Sequence, residues 1–166
     1  MVTLARGLFR TSVLLYGLVV LIAGRELPQQ VPTHVAESGQ ADVWTARADL
    51  VVLLAGAGLG TALFISACGA VLRVLPLSWV AVPDHLEPGR RWEARRTMRS
   101  TVAQDVYLVG VVAMLLLTAM TIAVVRQATA SHPSMGPWGA ALMVLFVAGL
   151  LGLVASRYVV RRRPVA

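Results

Sequence analysis

The side chains best suited to chemistry fall in one short stretch, His34, Glu37 and Asp42, with His132 in a second polar connection much further along the chain. An imidazole grouped with carboxylates is a metal-ligand set and also the raw material of acid–base catalysis. Neither reading fits well. A structural zinc site is closed by a full tetrahedral set, usually with cysteine, whereas the single cysteine, Cys68, lies inside an apolar run and HExxH spacing does not occur. The polar connections are also too short to build a pocket around a carboxylate pair. No catalytic residue, metal or cofactor is therefore expected, and His34 is expected to hold its own segment together through Asp42 or a backbone carbonyl.

Composition dictates what must position these residues. The 166 residues are 57% hydrophobic and 14% charged, with a mean hydropathy of +0.73, against about 25% charged for soluble domains. All 15 basic residues are arginine and the net charge is +7. In a soluble protein that balance would point to nucleic acid. Here the arginines flank apolar runs, so membrane lipids are the expected partner and no nucleic acid is expected.

Crossing a ~30 Å hydrocarbon core takes about 20 apolar residues at ~1.5 Å each. Residues 50–72, 106–125 and 137–156 meet that requirement without an internal charge. The first run, about 8–24, begins with Arg10, whose side chain can snorkel to the interface. A cleaved signal peptide is its rival reading, but Leu21 and Ile22 occupy the place where signal peptidase needs a small residue, so an uncleaved anchor is preferred. The expected fold class is all-α: an integral membrane four-helix bundle in a single transmembrane domain over 1–166.

The arginines orient it. Twelve fall on one side of the four runs (Arg6, Arg10, Arg73, the five from Arg90 to Arg99 and the four from Arg157 to Arg163), and only Arg25, Arg47 and Arg126 on the other. The positive-inside rule then puts both termini in the cytoplasm of a multi-pass protein of the bacterial cytoplasmic membrane. The connections become an outer loop 25–47, a basic inner loop 73–101 and a short outer loop 126–136. In the inner loop, Pro76 and Pro83 break the helix and Trp79 suits the headgroup level. From Gly89 a helical pattern resumes with Arg91, Arg95 and Arg99 on one face, which either lies on the membrane and binds lipid headgroups or continues into the third span. Asp105 is expected to serve the start of the third helix.

The second run carries a small-residue stripe, with Gly56 and Gly60 in GxxxG spacing and Ala62, Ser66 and Ala70 beyond. Missing side chains let helices approach closely where lipid removes the hydrophobic driving force. Packing within the monomer is preferred there over a homodimer seam. The string is no nucleotide fingerprint, since its spacing is wrong and no strand precedes it.

The outer loop is the most specific segment. Pro28 and Pro32 stiffen an extended entry, Gly39 permits a turn, Asp42 can cap a turn into the second span, and Trp44 packs on the interface or on the loop itself. This string, with Leu27, Pro28, Pro32, His34, Gly39, Asp42 and Trp44, resembles the signature of the bacterial membrane domain-of-unknown-function family 1648, which reads Leu-Pro, Pro-x-His, a glycine and Asp-x-Trp ahead of a membrane helix. The family includes the immunity protein against a sporulation-delaying peptide toxin. The resemblance implies an immunity-like or signalling role with Pro28, Pro32, His34, Gly39, Asp42 and Trp44 as binding positions. It covers the first hairpin of the chain; after the next helix, Leu75, Pro76, Trp79, Pro83 and the arginines match only loosely.

Other functions of small membrane bundles lack their residues. Thiol oxidoreductases need cysteine pairs. Proton-coupled exporters need an ionisable group deep in the bilayer, and Asp49 and Asp105 flank the runs instead. Histidine pairs for haem are absent from the runs. What is expected is a non-enzymatic membrane protein with an ordered extracytoplasmic loop, in an immunity-like, sensory or accessory role toward an unidentified protein or peptide; the alternative is a transport component or small-molecule permease subunit, toward which only the glycine cluster points.

The topology is open to a direct check. In a Cys68→Ser background, Gln40→Cys is expected to react with a membrane-impermeant maleimide on intact cells. Reaction only after the cytoplasmic side is opened would invert the assignment.

Overall fold

The structure, a computed structural model, describes residues 2–35, 41–80 and 87–129, with backbone alone for 33–35, 41, 42 and 88. The run 137–156, expected as the fourth span, lies outside the described residues. The chain is mostly helical. The element order is α1 (Val2–Glu26), β1 (Gln30–Val35), β2 (Ala41–Ala46), α2 (Arg47–Val74), a 3-10 turn (Leu77–Trp79) and α3 (Pro88–Thr129). All three α-helices are long and apolar enough to cross a membrane, which makes this a multi-pass membrane protein. The fold class departs from the all-α expectation in one place: the first connection is an antiparallel β-hairpin.

Each helix overruns its apolar run. At ~1.5 Å per residue the helices are about 37, 42 and 63 Å long, against a ~30 Å core. Once nucleated, a helix adds a hydrogen bond for each residue it fixes, so it continues until something stops it. For α2 the stop is Pro76, which disfavours helical geometry at Leu75. For α3 the start is Pro88, whose missing N–H costs nothing in a first turn. The arginine-rich segment from Gly89 is therefore the beginning of the third helix. Asp105, expected at that helix's start, lies well inside it and is engaged within the chain.

The burial pattern is that of a protein solvated by lipid. Ala5, Phe9, Ser12, Tyr16, Val20 and Ala23 are buried along one face of α1, spaced three or four apart. Leu4, Leu14 and Leu21 stand on the opposite side, each more than two-thirds exposed. On α3 the same rhythm buries Ala103, Tyr107, Gly110, Met114, Thr118 and Thr121. Buried hydroxyls turn to their own helices: Ser12 donates to the Phe9 carbonyl at 2.8 Å and Thr121 to the Leu117 carbonyl at 2.8 Å. This satisfies them without a partner helix, as an apolar surround requires.

The described residues divide into two compact units, 2–18 with 53–115 and 19–52 with 116–129. In the first unit the helices approach closely at glycines. The Tyr16 ring of α1 lies over Gly58 of α2, in the space a Cβ would fill, and its hydroxyl donates to the Leu54 carbonyl at 2.6 Å. Tyr107 of α3 covers Gly69 in the same way and accepts a hydrogen bond from Arg73 at 2.8 Å. A Cβ on Gly110 would stand 2.8 Å from both Ile65 of α2 and Phe9 of α1, and Phe9 packs on Tyr107 with ring centroids 5.9 Å apart. In the second unit the core takes Val20, Ala23 and Leu27 with Val31 and Leu50, and Gly24 faces the Val51 methyls.

Among the described residues the close packing thus falls at Gly58, Gly69 and Gly110, not at the GxxxG pair. Gly56 and Gly60 are exposed, and a Cβ on either meets nothing within 4 Å among the described residues. GxxxG marks a face on which helices can approach, but it does not mark which small residue a neighbour uses. Alanine scanning separates the two sets. Gly58→Ala is expected to lower unfolding stability in detergent by about 1–3 kcal/mol, the usual cost of overpacking, because Tyr16 is held at both ring and hydroxyl. Gly56→Ala and Gly60→Ala are expected to change it by less than about 0.5 kcal/mol. Equal losses at all three positions would contradict this packing.

Candidate functional site

The hairpin between α1 and α2 carries most of the sequence-predicted site. The strands pair Gln30 with Ala46, Val31 with Thr45, Pro32 with Trp44, His34 with Val43 and Val35 with Ala41. Two irregularities interrupt the ladder, leaving Thr33 without a partner in β1 and Asp42 without one in β2. Extended residues were expected around Pro28 and Pro32; a paired second strand through Asp42 and Trp44 was not. Asp42, expected to cap a turn into the second span, is a strand residue, and Asp49 is the acid in the first turn of α2. Gly39, Glu37 and His132 lie outside the described residues, as do the side chains of His34 and Asp42. The backbone brings the last two to adjacent register positions. Among the described residues, no three of His, Cys, Asp and Glu come together as a metal-binding group.

Alternation explains which hairpin side chains are presented. Successive residues of a strand point to opposite faces. Val31 is 1% exposed, so its face is turned into the protein, and Pro32 with its partner Trp44 falls on the other face. Trp44 is 54% exposed. It does not supply the buried area that the sequence led one to expect; Leu27, also 1% exposed, and Val31 do. By alternation Val43 should turn inward beside Thr45, but the neighbouring irregularities break the pattern and it is half exposed. The hairpin therefore has an inner anchor of Leu27 and Val31 and an outward apolar pair, Val43 and Trp44.

Arg47 closes the base, and sequence reasoning missed it. Its backbone N–H donates to the Gln29 carbonyl at 3.0 Å, and its guanidinium donates to the Leu27 carbonyl at 3.2 Å. The Leu27 N–H donates in turn to the Ala23 carbonyl at 3.0 Å, so the turn leaving α1 is fixed on both sides. The available signal was an arginine on the arginine-poor side of the membrane pattern, a place where such a residue needs a local reason.

The arginine face of α3 was the second predicted site, with Arg91, Arg95 and Arg99 on lipid headgroups. Arg99 donates to the carbonyls of Arg73 and Leu75 at 3.4 and 3.2 Å. These lie at the C-terminal end of α2, where helix carbonyls lack internal partners and the dipole favours a cation. Arg91 is also engaged within the chain. Arg96 sits over the Trp92 ring, 5.5 Å from its centroid. The Nε of Arg95 is buried and has no hydrogen-bond partner among the described residues.

Replacing Arg47 by alanine leaves the Leu27 carbonyl without its charged donor, an interaction worth about 1.5–3 kcal/mol. Amide exchange across Gln30–Val31 and Val43–Ala46 is expected to accelerate at least tenfold, while exchange within 107–121 stays unchanged. Uniform acceleration would mean that Arg47 holds the whole fold rather than the hairpin.

Compared with family models, curated proteins and solved structures, the chain matches none.

Proposed function

We propose that this chain is a non-enzymatic receptor-like protein of a bacterial cytoplasmic membrane, which holds its first hairpin outside the cell as the recognition surface for a peptide or protein. The observation that carries the proposal is the asymmetry of the hairpin. Leu27 and Val31 are buried and Arg47 ties the base to the Gln29 and Leu27 carbonyls, while Val43 and Trp44 on β2 stay half exposed. An exposed tryptophan on an ordered, two-stranded support is an anchor of the kind that dominates interfaces: a large apolar area with few torsions to freeze on binding.

The orientation is supported by the arginines that break the pattern. Arg25 and Arg126 sit in the last turns of α1 and α3, where a cation complements the helix dipole, and Arg47 clamps the hairpin. All three exceptions to positive-inside thus have local reasons; Arg73, in the last turn of α2, and Arg99, on the carbonyls that end it, have them too, and the remaining ten arginines still share one side of the pattern. The resemblance to family 1648 rests on Leu27, Pro28, Pro32, His34, Gly39, Asp42 and Trp44, and an immunity-like, sensory or accessory role is the reading that goes with it.

A photoreactive phenylalanine analogue in place of Trp44, introduced in the native host, tests the reading. The expected result is a discrete protein or peptide adduct that disappears when Arg47→Ala loosens the hairpin, while the same analogue at Leu21 captures lipid. Lipid adducts alone at position 44, unaffected by Arg47→Ala, would make the hairpin an interfacial anchor and remove recognition from it.

A further inference from the structure

We propose that Arg95 seats a phosphate group, that of an anionic lipid headgroup in the inner leaflet, as a single defined site rather than as part of a diffuse basic surface. The first observation is the guanidinium itself. Arg95 is half-buried, and its Nε is covered yet has no acceptor among the described residues. A buried donor without a partner costs free energy that an added acceptor recovers once the half-buried side chain turns to uncover it, and a phosphate then takes Nε–H and an Nη–H together in the fork geometry peculiar to arginine.

The second observation is that four neighbouring arginines are engaged within the chain. Arg99 caps the end of α2, Arg73 donates to Tyr107, Arg91 is engaged within the chain and Arg96 stacks on Trp92. At ~100° of rotation per residue, Trp92, Arg95, Arg96 and Arg99 share one face of α3, and Glu93 falls off it. A phosphate at Arg95 therefore meets positive charge on its own face and no carboxylate there.

The third is depth. Arg99 meets the carbonyls that follow the apolar run 50–72, so its level on α3 is where that run ends. Arg95 lies one turn further out, about 6 Å along the axis, within the ~5–8 Å that the headgroups occupy on each side. Arg91 lies a further ~6 Å out, past that layer. A helix continuous with the span thus selects one arginine for the phosphate plane, where a helix lying flat on the membrane would have offered all three.

The test titrates the purified full-length chain in a neutral maltoside with phosphatidylglycerol and counts bound lipids by native mass spectrometry. One lipid is expected to bind at least tenfold more tightly than phosphatidylcholine does. Arg95→Ala is expected to weaken it about tenfold, or about 1.4 kcal/mol. Arg95→Lys, which keeps the charge but loses Nε–H, should restore less than half of that loss, and Arg90→Ala, at an exposed position, should leave the affinity unchanged. Equal binding by wild type and Arg95→Ala, or full rescue by lysine, would overturn the site. Complete displacement of the lipid by an equal concentration of inorganic phosphate would support the phosphate chemistry and overturn its lipid source.

Discussion

Helix association in this protein depends on two tyrosine rings that occupy the space of a missing Cβ on α2. Tyr16 comes from α1 and Tyr107 from α3, and both dock on α2, at Gly58 and Gly69. These glycines are three turns apart and so lie almost on one line of α2. In hydrocarbon there is no water to drive helices together, and what remains is dispersion at close range and polar contacts that would otherwise go unmade. A tyrosine over a glycine supplies both, since the ring fills the gap and the hydroxyl reaches a backbone carbonyl in one case and a guanidinium in the other. Phe9 and Ile65 converge on Gly110 under the same rule.

Arginine does the complementary work at the helix ends. A helix leaves its last carbonyls without internal partners, and near a membrane surface these must find donors. Arg99 serves the end of α2, and Arg47 serves the turn that leaves α1. The guanidinium suits both places because it stays charged and presents several N–H groups in a fixed plane. The same residue type carries the orientation expected from its distribution along the sequence and, in the structure, fixes local geometry through its hydrogen bonds. These roles do not compete, because the first depends on which side an arginine lies and the second on which carbonyl it reaches.

The hairpin gains its order from both effects. An isolated two-stranded sheet is marginal in water, and here it is held by buried Leu27 and Val31 on one face and by the Arg47 bonds at its base. With one face committed, strand alternation leaves Trp44 outward. The exposed tryptophan follows from burying Val31 and is the consequence of how the hairpin is anchored.

The sequence by itself determined the membrane class, the three described spans to within their polar extensions and the arginine asymmetry, because each depends only on the count and order of apolar and charged residues along the chain. It also marked the first connection as unusual through Pro28, Pro32 and Trp44. It did not determine that this connection is a hairpin, since pairing depends on which residues of β1 meet which of β2, and bulges at Thr33 and Asp42 hide the alternation. Nor could it choose Gly58 over Gly56, or tell Arg95 from Arg99. Those choices belong to the tertiary structure: a glycine becomes a contact only when a neighbouring helix brings a ring to it, and an arginine is committed only when a carbonyl lies within its reach.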